Sequence, residues 1–324
     1  MENTNLGYQY NMIYNYFTKL LGHKEEKKMY ELKKVSIPSG ETIAYREVGS
    51  GDLTILLIHG NQSSSIIYHN FMKRYEDKAK VYALDLPGFG ESSYNNKHTK
   101  IDDWAKDVND FMEVIGIDRA IVVGHSAGGG VGLKLAADFP DKLSHLIPVG
   151  SVGVKGFLLP KLDRFLRPIP DEYVYSYEDV ANHPSIKLVE KLIKGKAKLS
   201  TRNMWKQSLY HIKSPERSMY EIYIDEFFKE RCFTDISVAL CQFNITDEVT
   251  YKKGDGSIKN ITAPVTYFHG KKDLVVPFAI AEDSIKYFPN GADLIGLNQA
   301  GHMVFNDSPN EFYSHVDRII AQYI

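Results

Sequence analysis

Hydrophobic positions along this chain fall into two alternating patterns. Residues 53–58, 81–84 and 119–123 are short, nearly continuous apolar runs, each followed by glycine, proline or polar residues. Runs of that length mark strands buried on both faces of a sheet. Between the second and third, Ile101, Trp104, Val108, Phe111, Met112 and Ile115 recur every three or four residues, which puts them on one face of a helix. Strand-like runs return at 145–149, 264–268 and 293–297, and helical segments at 129–139 and 308–320. This alternation predicts an α/β fold, a mostly parallel central sheet with helices on both faces. Residues 35–37 and 42–48 flank Pro38-Ser39-Gly40, so an antiparallel hairpin is expected at the start of the sheet.

Two stretches break the alternation. Across 154–235, Pro160, Pro168, Pro170, Pro184 and Pro215 separate helical stretches such as 185–193 and 220–228. They predict a helical unit inserted into a core made of 33–153 and 236–324. Phe157, Leu158, Leu159, Trp205, Leu209 and Tyr210 read first as the interior of that insert and second as pocket lining. The other stretch is an N-terminal extension, 1–32, in which Ile13, Phe17, Leu20 and Leu21 share one helical face. Gln9, Asn11, Asn15 and Thr18 interrupt its apolar run, so it reads as neither a signal peptide nor a membrane span. The expectation is an amphipathic helix packed on the protein, with peripheral contact to a membrane surface or a partner as the functional alternative.

Composition narrows the function classes. With 43% hydrophobic and 25% charged residues, the 324-residue chain is ordinary globular material, long enough for one large core and an inserted unit. A formal charge of −2 lacks the basic footprint of a nucleic-acid binder. Cys232 and Cys241 are its two cysteines. They accompany no metal-ligand spacing and suggest idle thiols in a reducing, cytoplasmic setting.

The chemistry begins where the third parallel strand ends, at Gly124-His125-Ser126-Ala127-Gly128. A serine held between strand and helix needs a very tight turn, so the residues two before and two after it must be small. The helix that follows turns unpaired N–H groups and its positive dipole end toward developing negative charge. The Ala127 N–H is thus a candidate oxyanion donor. A serine hydroxyl also needs a base, and usually an acid to orient that base. Asp273 follows the strand at 264–268 and His302 follows the strand at 293–297, which makes them the candidate acid and base. His59 and His125 lie in loop-shaping positions, and His269 reads as a satisfied core histidine.

Taken together, His59-Gly60-Asn61, Asp85 to Ser92, Gly124 to Gly128, Asp273 and Gly301-His302 resemble the α/β-hydrolase superfamily, from about Val35 to the end of the chain. The order serine, aspartate, histidine is the one those enzymes use. The resemblance implies that Asn61 supplies the second oxyanion N–H and that 154–235 forms a helical cap over the nucleophile; the chemistry of the serine, histidine and aspartate requires neither metal nor organic cofactor. His-Gly-Asn also resembles haloalkane dehalogenases, which carry an aspartate where this chain has Ser126. The expected activity is serine-dependent hydrolysis of a small-molecule carboxylic ester or lactone. A thioesterase, amidase, carbon–carbon bond hydrolase or cofactor-free haloperoxidase would use the same triad. A receptor on this fold, turning over slowly, is the alternative from another class. Oligomeric state is not legible.

Overall fold

The computed structural model describes residues 29–324, so the helix expected from Ile13, Phe17, Leu20 and Leu21 lies outside the described residues. The chain divides into two units, 1–31 and 32–324, and the second carries everything that follows. Its sheet opens with β1 (Lys33–Ser36) and β2 (Thr42–Val48), then continues through β3 (Thr54–Ile58), β4 (Lys80–Leu84), β5 (Ala120–His125) and β6 (Leu143–Val149). After a long insert carrying β7 (Pro160–Leu162) and β8 (Pro168–Tyr173), it resumes with β9 (Thr266–Gly270) and β10 (Asp293–Leu297). The eight-stranded order is β1-β2-β4-β3-β5-β6-β9-β10. β1 pairs antiparallel with β2, and β2 with β4; every later pairing is parallel. The mostly parallel sheet is present as expected. β5 is buried along its whole length, because β3 and β6 flank it and helices cover the sheet.

The helices of the core follow from their apolar spacing. They are α1 (His69–Tyr75), α2 (Ile101–Ile115) and α3 (Ala127–Asp138), with α9 (Phe278–Ser284), α10 (Val304–Asp307) and α11 (Pro309–Ile320) toward the C-terminus. α2 buries Trp104, Val108, Phe111 and Met112. Asp103 accepts the Lys100 N–H at its start, at 3.0 Å, and Gly116 ends it at φ 78°. α3 is almost wholly buried and therefore carries small residues: Gly130 comes so close to Val152 that a Cβ would lie 2.8 Å from its Cγ2.

Between β6 and β9 the insert holds α4 (Tyr177–Asn182), α5 (Pro184–Gly195), α6 (Lys198–Gln207), α7 (Arg217–Phe227) and α8 (Phe233–Gln242). It also contains the two-stranded β7–β8 ribbon, where the prolines suggested only breaks between helices. Pro160, Pro168 and Pro170 fit there because each strand of a two-stranded ribbon has a free edge that needs no N–H donor. The insert has its own apolar cluster around Trp205, Tyr210, Tyr220 and Phe227. α8 joins both: Ile236, Ala239 and Leu240 pack in the main core, and Phe233, Val238 and Cys241 in the cluster of the insert.

Candidate active site

Ser126 sits between the end of β5 and the first residue of α3, at φ 53° and ψ −119°. A non-glycine residue at positive φ is costly, by about 1–3 kcal/mol, and persists only where its surroundings over-determine it. They do. The Ser126 N–H donates to the Val149 carbonyl at 3.0 Å, and the Ser126 carbonyl accepts the Gly129 N–H at 3.0 Å. A Cβ on Gly124 would lie 2.4 Å from the Gly128 carbonyl oxygen, and one on Gly128 would lie 2.3 Å from that of His59. The small residues predicted around the serine are thus required by backbone packed on backbone.

Asp273 lies just beyond β9 and His302 in the loop after β10. Their side chains are buried and joined by a hydrogen bond from His302 Nδ1 to Asp273 Oδ2 at 2.8 Å. That bond leaves Nε2 of His302 as the nitrogen able to take a proton. The other oxygen, Oδ1 of Asp273, accepts the N–H groups of Val275 and Val276 at 2.7 and 2.9 Å. Burial pushes the Asp273 carboxyl upward. The facing His302 and the hydrogen bonds from His269 and His302 outweigh it and hold the group well below the usual carboxylate range. Gly150, at φ 50°, makes the pair possible: a Cβ there would come within 2.9 Å of the His302 carbonyl oxygen.

The remaining histidines divide by contact. His59 donates from Nδ1 to the Gly60 carbonyl at 2.8 Å and accepts the Leu86 N–H on Nε2 at 3.0 Å, which pins the loop after β3. His125 donates from Nε2 to the His302 carbonyl at 3.2 Å, its ring 4.9 Å from that of His302. Burial, followed by the repulsion of His302, lowers His125 to about 3 and keeps it neutral. His269 belongs to β9 itself; its Nε2 donates to the Val276 carbonyl at 2.8 Å and lies 3.4 Å from Asp273 Oδ2. It is a buried histidine and a neighbour of the acid at once, but only half satisfied: its Nδ1 has no hydrogen-bond partner among the described residues, so the expectation of a satisfied core histidine holds for Nε2 alone.

The loop after β3 meets the serine turn closely, since a Cβ on Gly60 would be 2.7 Å from that of Ser126 and 3.4 Å from the Ala127 nitrogen. Among the described residues, neither the Asn61 nor the Ala127 N–H donates to a backbone or side-chain acceptor. Asn61, Ser126 and His302 open onto one cavity of about 250 Å³, with Asp273 behind His302. The structure records no hydrogen bond between the Ser126 hydroxyl and His302. The cavity walls come largely from the insert, including Leu159, Ile186, Val189, Trp205 and Phe233, and no Asp, Glu, Lys or Arg is among the described lining residues. Phe157, Leu159, Trp205, Leu209 and Tyr210 line it, whereas Leu158 does not. Sequence reasoning missed Gln62, Tyr223 and Val276 as lining. Adjacency to Asn61 was the available signal for the first; the others carry none.

The profile of the alpha/beta hydrolase fold matches residues 54–309. A dihydrolipoyllysine-residue acetyltransferase component of an acetoin cleaving system, from Cupriavidus necator, is 27% identical over 276 residues, covering 84% of this chain and 65% of that protein. The chain therefore spans a little under two thirds of that relative. A 2-hydroxy-6-oxononadienedioate/2-hydroxy-6-oxononatrienedioate hydrolase from Paraburkholderia phymatum is 23% identical, covering 83% of this chain and 88% of its own. Among solved structures, an esterase from Exiguobacterium antarcticum superposes with a TM-score of 0.67 at 19% identity, over 89% of this chain and 99% of the esterase. That likeness speaks to the fold.

Proposed function

The chain belongs to the α/β-hydrolase fold family, and on that premise we propose that it is a serine hydrolase of uncharged carboxylic esters or lactones. The observation that carries the reading is the buried Asp273–His302 hydrogen bond beside a cavity that the positive-φ Ser126 also lines. In the proposed reaction Ser126 Oγ attacks the substrate carbonyl while His302 Nε2 takes its proton, and Asp273 stabilises the imidazolium. The N–H groups of Asn61 and Ala127 receive the oxyanion. His302 then protonates the leaving alcohol, and next activates water to release the acyl group from Ser126. Within this reading 154–235 acts as a cap on a core of 33–153 and 236–324.

The cavity lining supports the substrate class. Placing a carboxylate or ammonium among apolar walls without a partner costs several kcal/mol, roughly, so neutral substrates are favoured. A carbon–carbon bond hydrolase is the second reading, favoured by the relative named for dioate substrates. A dicarboxylate would meet no lysine or arginine among the described lining residues. The test is steady-state hydrolysis of p-nitrophenyl esters from acetate to octanoate, a lactone and a dicarboxylate ring-cleavage analogue, with fluorophosphonate labelling alongside. Multiple turnover of the neutral esters, lost by roughly 10⁴-fold or more together with labelling in Ser126→Ala, is the expected result. Unchanged turnover in that variant, or preference for the dicarboxylate, overturns it.

A further inference from the structure

Glu230 is a buried carboxylic acid with no part in the reaction as written. It lies between α7 and α8 and is 3% exposed. Its Oε2 accepts the Gln62 N–H at 2.8 Å, while its Oε1 is buried without a hydrogen-bond partner among the described residues. Gln62 directly follows Asn61 and sits at φ 60°. The Gln62 side chain is held as well, its Oε1 accepting the indole N–H of Trp205 at 2.8 Å. Both restraints on Gln62 thus come from the insert.

We propose that Glu230 is a positioning residue for this hydrolysis, acting through Gln62 to hold the Asn61 N–H where the oxyanion forms. The proposal rests on the serine-hydrolase reading. The Gln62 N–H lies in the peptide plane that joins it to Asn61, so fixing that N–H fixes the rotation about the Asn61 Cα–C bond. Gly60, packed on Ser126, fixes the plane on the other side. A residue left at positive φ without such restraints relaxes to ordinary backbone geometry, and an oxyanion donor works only while it points at the developing charge. Trp205 steadies the same residue from its side chain.

The protonation state matters to this role. Burial, with the Gln62 N–H opposing and Glu190 adding repulsion, raises Glu230 to about 8, so at neutral pH it is an uncharged acceptor. The charged and titratable groups nearby leave it so. Glu190 accepts from Thr234, and the Arg231 guanidinium donates to the carbonyls of Gly90, Ser92 and Lys229. Lys229 pairs with Glu226 and Glu91, the Cys232 thiol is pushed up by burial, and burial lowers His59 to its neutral form. Ionisation of Glu230 would put a negative charge behind the loop that must stabilise another, and turnover should fall.

The experiment compares the full-length wild type, Glu230→Ala and Glu230→Gln on p-nitrophenyl butyrate from pH 6 to 9.5. Glu230→Ala should lower kcat roughly 10- to 100-fold with KM changed less than about twofold. Glu230→Gln keeps an acceptor for Gln62 and should hold kcat within about threefold at pH 7, while losing the alkaline fall near pH 8 expected of the wild type. If Glu230→Ala does not fold, the pH profile of Glu230→Gln decides alone. An unchanged kcat in Glu230→Ala, a change confined to KM, or an alkaline limb that persists in Glu230→Gln overturns the proposal. A wild type with neither ester turnover nor Ser126 labelling overturns it together with the reading beneath it.

Discussion

Two turns meet at the cavity, and each holds a non-glycine residue at positive φ: Ser126 at 53° and Gln62 at 60°. They are held by different means. The Ser126 turn rests on backbone of the core, with Gly124, Gly128 and Gly129 filling space where no Cβ fits. The Gln62 turn is gripped by two side chains of the insert, Trp205 and Glu230, lying 143 and 168 residues away along the chain. Strain supported by missing atoms is written locally, as glycine. Strain supported by distant side chains leaves no local mark.

The comparison breaks most readily at Gly128. In Gly128→Ala the new Cβ would stand 2.3 Å from the His59 carbonyl oxygen, a backbone atom that cannot swing away. Overpacking of that kind costs about 1–3 kcal/mol or more, so we expect a lower melting temperature and a loss of at least roughly 10²-fold in kcat through the displaced serine. Wild-type stability and labelling rate in this variant would show that the turn does not depend on its glycines.

Gln62→Gly should separate stability from activity. Glycine adopts positive φ freely, but this change removes the acceptor for Trp205. The expected outcome is a melting temperature within a few degrees of wild type and a kcat lower by about tenfold, from a donor loop that is intact but looser. Calorimetry and steady-state kinetics on one preparation separate the two effects. A large loss of stability with unchanged kcat would mean that Gln62 serves the fold alone.

The last contrast is in the pH dependence of stability, where the turns should have opposite signs. Burial holds His125 at about 3, against about 6.5 in the unfolded chain. Between those values the unfolded state binds the extra proton, so this contribution is complete above about pH 6.5 and is lost as pH falls toward 3. Glu230 is raised to about 8, against about 4.3 unfolded. Between those values the folded state holds the extra proton, so its contribution shrinks as pH rises from about 4.3 to 8. Melting temperatures across pH should flatten on the acid side in His125→Gln and on the neutral-to-alkaline side in Glu230→Gln. Parallel curves for the three proteins would remove the contrast.

The same contrast explains what could be read from the residues alone. Continuous runs such as 53–58 and the spacing from Ile101 to Ile115 report burial directly, and the sheet and α2 follow from them with little displacement. The G-x-S-x-G turn was legible because its glycines are themselves the mechanism. Asp273 and His302 stood out as polar residues just past strand ends, and the adjacency of β9 and β10 is what brings them within 2.8 Å. The β7–β8 ribbon was not legible, since proline marks an edge strand as readily as a helix break. Glu230 was not legible either: within 229–235 it is one charge among several, and only its partner distinguishes it.

The double-faced α8 has a consequence for how the molecule comes apart. A helix that buries Ile236, Ala239 and Leu240 in one apolar cluster and Phe233, Val238 and Cys241 in the other cannot leave either without wetting both. The insert is then no separate cooperative unit: partial openings confined to β7–β8 or α4 can occur below the global unfolding energy, but they stop at α8. Its amides should exchange with solvent by the same event that exposes the sheet.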